Sequence, residues 1–159
     1  MCEAVSISPH SPGRVESQEI LARFVFEPKH IGPDGSIEVG ALHDIGTNGL
    51  STERRRPDDA DRLRNRGLTI ARIQNERTAA TADPPPETVN FRGIVELPVA
   101  TVRSHYIQKR RSFCVMDSAD ADDPLHADVI IDGTRSKSER SKLRNELRKL
   151  ILELKPKDP

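Results

Sequence analysis

Residues 136–154 read SKSERSKLRNELRKLILEL, and this stretch carries the clearest secondary-structure signal in the chain. Ser136 and Glu139 have the spacing of a helix-capping box, in which each side chain bonds the other residue's backbone N–H. Apolar residues then recur every three or four positions, on one face of a helix: Leu143, Leu147, Leu150, Ile151 and Leu154. Pro156 marks the end of the pattern, because proline cannot continue a helix. We therefore predict a C-terminal amphipathic helix over 136–154.

Upstream of this helix, short runs rich in β-branched and aromatic residues predict β-strands. The clear runs are 20–26, 37–41, 68–73, 91–97 and 112–116, and shorter, weaker ones are 50–52 and 127–131. Pro57 and Gly67 bracket a two-turn helix, because proline suits the first turn and glycine the C-terminal cap. Pro98 opens another short helix. Since strands and helices follow one another without regular alternation, the sequence predicts an α+β domain of about five or six short strands and two or three helices.

The length of 159 residues allows one domain with a modest core. Residues 1–18 are rich in serine and proline without a hydrophobic period, so we predict a disordered leader there and a single domain over 19–155. Residues 74–88 are polar and contain three consecutive prolines, which fit neither a helix nor a central strand. They predict an exposed loop, either a linker between two halves of the domain or a loop over a site.

Several classes of protein are not indicated by the sequence. No apolar run approaches the roughly 18 residues that cross a bilayer, so we expect no membrane partner. The N-terminus lacks the basic and apolar regions of a secretory signal. The motifs of the P-loop, the dinucleotide-binding turn and the nucleophile elbow are absent as well. Cys2 and Cys114 form no C-x-x-C pair, and we expect two reduced thiols in a cytoplasmic protein.

The net charge of zero conceals an uneven distribution of charge. The acidic segment, residues 117–128, contains five aspartates and no lysine or arginine, whereas residues 134–155 contain eight basic and three acidic side chains. The basic residues form either the solvated face of the C-terminal helix, a surface for nucleic-acid phosphates, or a surface for a partner protein. The binding hypotheses rest on four arginines: Arg135, Arg140, Arg144 and Arg148.

Histidines and one aspartate supply the other candidate site. His30, His43, His126 and Asp128 would form a divalent-metal site if the fold gathered them, since imidazole and carboxylate are ligands for zinc or iron. His126 and Asp128 also have strand spacing that points both side chains the same way, so Asp128 could orient His126 as a general acid–base catalyst. The alternative is that all four satisfy local hydrogen bonds in turns and strand ends.

Three segments together resemble a set of short bacterial proteins of unknown function. They are Leu21-Ala22-Arg23-Phe24, Phe91-Arg92-Gly93-Ile94-Val95, and Phe113 to Asp117 followed by Pro124-Leu125-His126-Ala127-Asp128-Val129-Ile130. In those proteins an L-A-R-F start and an H-A-D/E-I segment precede a C-terminal helix. The resemblance implies a bacterial, cytoplasmic protein and carries over no catalytic residue. It directs attention to the segment that contains His126 and Asp128.

The sequence favours an accessory protein over an enzyme. We expect it to bind a partner protein through its charge-polarised C-terminal region, without a cofactor. The first alternative is a small enzyme or metal-binding protein that uses His126 and Asp128. The second is a nucleic-acid-binding module that uses the basic C-terminal helix. A chain with no Trp and only five other aromatic residues offers few rings on which bases could stack, which disfavours the second alternative.

Overall fold

The structure is a computed structural model that describes residues 8–81, 87–151 and 155–156. Its elements follow in the order β1 (Ile20–Glu27), a 3-10 helix (Val39–Gly46), β2 (Leu50–Arg54), α1 (Ala60–Ala79), β3 (Asn90–Pro98), α2 (Val99–Arg103), β4 (Tyr106–Ile107), β5 (Arg110–Arg111), β6 (Phe113–Asp117), β7 (His126–Ile131), α3 (Lys137–Lys149) and β8 (Lys155–Pro156). The antiparallel main sheet has the strand order β6-β7-β2-β1-β3-β8, and β4 and β5 pair as a separate hairpin. The predicted α+β class is therefore confirmed.

The main sheet has an apolar cluster on each face, because neighbouring strand residues point to opposite sides. Leu21 packs with Leu143 and Leu147 of α3 on one face, whereas Ala22 packs with Leu63 and Ala71 of α1 on the other. The 3-10 helix and α2 join α3 on its face through Leu42, Ile45, Val99 and Val102. The sheet thus separates α1 from α3, and this separation determines where the charged surfaces lie.

The C-terminal helix forms as its sequence predicts, although it ends earlier. Ser136 accepts a hydrogen bond from the Glu139 N–H, and the Glu139 carboxylate accepts one from the Ser136 N–H, which completes the capping box. Leu143 and Leu147 are fully buried, and Leu150 and Ile151 pack partly against the same core. The helix ends at Lys149, and Leu154 lies outside the described residues.

The region between β2 and β3 differs most from the prediction. Residues 68–73 are helical rather than a strand, because α1 continues unbroken from Ala60 to Ala79. Gly67 lies inside this helix and does not cap it. The predicted loop over 74–88 is consequently wrong for residues 74–79, and its prolines lie outside the described residues. The predicted strand at 37–41 is also wrong, since residues 39–46 form the 3-10 helix.

Residues 8–18, which were predicted as part of a disordered leader, pack against the domain. Val15 is 1% exposed and belongs to the α3-side core. Arg54 donates to the carbonyl of Gly13 at 2.6 Å, and Arg103 donates to the carbonyl of Val15 at 2.7 Å. These bonds satisfy backbone carbonyls of a segment that belongs to no helix or sheet. Residues 1–7, the rest of the predicted leader, lie outside the described residues.

Cys114 of β6 is disulfide-bonded, so the expectation of two reduced thiols is wrong for this residue. The chain's other cysteine, Cys2, lies outside the described residues. Within the described part of the chain, no helix combines the length and the apolar character needed to cross a membrane.

Candidate functional site

His126, at the start of β7, is held between two serine hydroxyls. Its Nε2 lies 2.8 Å from Ser51 Oγ, and its Nδ1 lies 2.8 Å from Ser118 Oγ. Asp128 Oδ2 is 4.0 Å from the same Nδ1, which is an ion-pair distance but too long for a hydrogen bond. The imidazole is 22% exposed, so one edge of the ring remains accessible to solvent.

Strand register explains why these side chains meet. Ser51 pairs with Asp128 and Glu53 pairs with His126 in the antiparallel β2–β7 ladder. Residues two apart on a strand share a face, so all four side chains lie on the α1 side of the sheet. The sequence indicated that His126 and Asp128 share a face. It gave no signal for Ser51, because that pairing depends on the register between segments 75 residues apart, and Ser118 stands outside the strand that carries the spacing signal.

A cleft of about 230 Å³ opens beside His126 on the α1 side of the sheet. Phe24 and Ile70 form its apolar part, and it is also lined by Ser51, Arg66, Asp120, Asp122 and Asp123. The cleft lies where β1 and β2 separate, since their ladder contains only the pairs Leu21–Arg54 and Ala22–Glu53. Beyond that point Arg23 of β1 donates to the Ser51 carbonyl at 3.0 Å and holds the β2 backbone in place.

A buried ionic network forms one wall of the cleft. Glu53 has a side chain only 3% exposed and accepts hydrogen bonds from Arg62 and Arg66 of α1. Arg66 also pairs with Asp123 at 2.8 Å. Burial raises the pKa of Glu53, and the hydrogen bond from Arg62 opposes that rise. The network therefore fixes Arg66 at the cleft and ties the loop that contains Asp123 to α1.

The four residues proposed as metal ligands do not form a metal site. Among the described residues, no three histidine, cysteine, aspartate or glutamate side chains come together in a way that could hold a metal ion. His30 is buried, and its Nδ1 accepts a hydrogen bond from the Phe26 N–H at 3.2 Å. Burial, together with the positive charges of Arg23 and Lys29, lowers the pKa of His30 to about 4. His43 lies on the 3-10 helix with its side chain 67% exposed.

The four candidate arginines occupy different environments. Arg135 has a side chain only 7% exposed and donates to the carbonyls of Asp132 and Arg111, so it belongs to the structure of the turn before α3. Arg140, Arg144 and Arg148 follow one another at intervals of four residues and share one side of α3. We call these three residues the basic stripe. Arg140 and Arg148 are exposed, and Arg144 is half-buried.

Further basic side chains surround the basic stripe. Lys137, Lys142 and Lys149 of α3 are exposed. The β4–β5 hairpin adds Lys109 and Arg110, both exposed, and Arg110 donates to the carbonyl of Thr134 just before α3. A cleft of about 310 Å³ lies at the N-terminal end of the stripe, between Arg140, Arg135 and the turn at residues 46–49.

The acidic segment does not neutralise this surface. Asp123 pairs with Arg66 of α1, and Asp120 accepts hydrogen bonds from the N–H groups of Asp122 and Asp123. Ion pairs between described residues never join the acidic segment to α3. Asp123 and Asp128 of the acidic segment therefore lie on the α1 side of the sheet, opposite α3.

Comparisons with known proteins add nothing to this geometry: no protein-family model, no curated protein and no solved structure matches the chain. The resemblance to short bacterial proteins stays a prediction.

Proposed function

We propose that this protein binds an acidic partner protein through the basic stripe of α3. The observation that supports the proposal is the separation of charge by the sheet. Asp123 pairs with Arg66 of α1, and no ion pair between described residues joins the acidic segment to α3, so the positive charge of α3 remains available to a partner.

The spacing of the stripe fits an extended acidic partner. Arg140 and Arg148 are eight residues apart, which corresponds to about 12 Å along a helix. Carboxylates along one edge of a partner segment could meet the guanidinium groups in turn, and arginine binds carboxylates through two parallel hydrogen bonds. Contacts of this kind are solvent-exposed, so the affinity must fall as the salt concentration rises.

A bacterial source is part of the proposal, whereas the cytoplasmic location expected from the sequence is not. The disulfide at Cys114 argues against the cytoplasm, because thiols there are usually kept reduced. A thiol count on the protein isolated from its source under alkylating conditions decides the compartment.

Fluorescence anisotropy with a labelled poly-glutamate peptide tests the proposed binding surface. We expect binding that weakens between low and physiological salt and is lost in the triple variant Arg140→Gln, Arg144→Gln and Arg148→Gln. The matched control removes three charges from the opposite face: Arg64→Gln, Arg72→Gln and Arg77→Gln.

Equal loss of binding in both triple variants would show that only net charge matters, and the proposal would then be wrong. A labelled DNA duplex serves as the competing polyanion. If the duplex binds more tightly than the peptide, and the stripe variant again loses this binding, the partner is a nucleic acid rather than a protein. Thermal melts of both variants check that each still folds.

A further inference from the structure

We propose that Ser51 and His126 form a nucleophile and general-base pair that hydrolyses small carboxylic esters in the cleft on the α1 side of the sheet. This activity is independent of the basic stripe, because α3 lies on the other face. A hydroxyl within hydrogen-bond distance of an imidazole nitrogen is the geometric signature of an activated serine.

The serine side of the pair is fixed and accessible. Ser51 is exposed at the cleft, and its Oγ lies 2.8 Å from His126 Nε2. The β2–β7 ladder and the Arg23 hydrogen bond to the Ser51 carbonyl hold its backbone. An ester in the cleft can therefore approach Ser51 Oγ while the imidazole of His126 remains in contact with that oxygen.

The other nitrogen of His126 is oriented by two groups. Ser118 Oγ lies 2.8 Å from Nδ1, and Asp128 Oδ2 lies 4.0 Å from it. When Nδ1 carries the proton and donates it to Ser118, Nε2 has a free electron pair for the Ser51 proton. The Asp128 carboxylate then stabilises the imidazolium that forms, as the acidic member of a catalytic triad does. Ser118 and Asp128 are thus positioning residues.

The cleft indicates the class of substrate. Phe24 and Ile70 provide an apolar wall for a short acyl group, and about 230 Å³ holds only a small molecule. Arg66 lines the same cleft and is held by Glu53 and Asp123. The Arg66 guanidinium is the cationic group in the cleft that can stabilise the oxyanion of a tetrahedral intermediate.

The reaction balances with water as the second substrate. Ser51 Oγ attacks the ester carbonyl carbon and its proton passes to His126 Nε2. The tetrahedral intermediate then breaks the bond to the leaving oxygen, which takes that proton and departs as an alcohol. Water attacks the acyl-serine in the same way, which releases the carboxylic acid and restores Ser51 and His126.

Labelling of the full-length protein with a fluorophosphonate tests this proposal, with intact mass and peptide mapping as readouts. We expect one adduct, on Ser51, and hydrolysis of p-nitrophenyl butyrate that the adduct abolishes. His126→Gln retains hydrogen-bonding atoms but no base, so labelling slows by at least about 100-fold. Ser138, which is exposed on α3, serves as the internal control and stays unlabelled.

The variant Asp128→Asn tests whether Asp128 positions and stabilises the His126 imidazolium or only supports the fold. Loss of the carboxylate destabilises the imidazolium, so the pH at which labelling reaches half its maximal rate should move down while Ser51 remains the labelled residue. The other charged groups that line the same cleft, which are Glu53, Arg66, Asp120, Asp122 and Asp123, are unchanged in this variant. No adduct on Ser51 of the folded wild-type protein, or equal labelling of the His126→Gln variant, would overturn the proposal.

Discussion

The ring of Phe91 in β3 lies directly against the backbone of Gly67 in α1. A Cβ atom at residue 67 would be 2.4 Å from Phe91 Cε2 and within 2.6 Å of two further ring atoms. Phe91 is itself packed against the rings of Phe24 and Phe26, at centroid distances of 5.9 and 6.0 Å. The glycine therefore lets α1 approach the sheet closely enough to cover these aromatic rings.

Gly67→Ala should destabilise the protein, although alanine is the better helix former by about 1 kcal/mol. The added methyl group must displace a buried ring, and overpacking of this kind costs about 1–3 kcal/mol in the free energy of unfolding. Urea denaturation measures the change. Gly40→Ala is the control, because a Cβ there meets only the Lys29 carbonyl at an ordinary 3.6 Å.

Phe91→Leu provides a second check on the same contact. If the clash is with the ring, the double variant Gly67→Ala and Phe91→Leu loses less stability than the sum of the single variants. Additive losses would show that the cost of Gly67→Ala arises elsewhere.

Glu53→Gln should lower the free energy of unfolding by about 2 kcal/mol, because it leaves two arginines of α1 without their buried carboxylate. The glutamate side chain is 3% exposed and accepts from both Arg62 and Arg66. The control is Glu76→Gln in the exposed Arg72–Glu76 pair of the same helix, with an expected change within about 0.5 kcal/mol. Similar losses of stability in both variants would mean that burial does not increase the contribution of these ion pairs to the free energy of unfolding.

The sequence predicted β1, β3, β6, β7 and the C-terminal helix, because the residues that favour each of these elements are close together in the chain. It divided α1 wrongly, since Gly67 looks like a cap and Ile70 and Ile73 look like strand residues. The spacing of Leu63, Gly67 and Ala71 by four residues was the signal for one continuous helix, with the glycine on its buried face. Only the position of Phe91, 24 residues later in the chain, explains why a glycine is needed there.

The candidate site was predictable only in part. His126 and Asp128 stand two apart in a strand, and this spacing alone places them on one face. Ser51 lies 75 residues before His126, so its contact depends on the β2–β7 register. The packing of residues 8–18 could not be predicted from the sequence either. Their carbonyls accept hydrogen bonds from Arg54 and Arg103, which lie far away in the chain.

Cys114 should resist alkylation until a reductant is added. We expect iodoacetamide in denaturant to leave Cys114 unmodified, because the residue is disulfide-bonded, and to modify it after treatment with dithiothreitol. Peptide mass spectrometry reads out both states. Modification of Cys114 in the unreduced, unfolded chain would contradict the disulfide and restore the expectation of a reduced thiol.

Acid should destabilise the protein through His30. The pKa of His30 is about 4 in the folded state, below its ordinary value of 6.5, because the ring is buried near Arg23 and Lys29. Between about pH 6.5 and 4 the unfolded chain binds a proton that the folded chain does not. The free energy of unfolding therefore falls as the pH is lowered through this window, by an amount of the order of 2 kcal/mol.

Urea denaturation at pH 7 and at pH 4.5 compares the wild type with two variants. His30→Asn keeps an acceptor for the Phe26 N–H but cannot titrate, so its stability should fall less than that of the wild type. His43→Asn removes an exposed histidine, 67% accessible, and should leave the pH dependence unchanged. If His30→Asn follows the wild-type curve, the acid sensitivity comes from the carboxylates instead. The buried imidazole would then have no part in the pH dependence of stability.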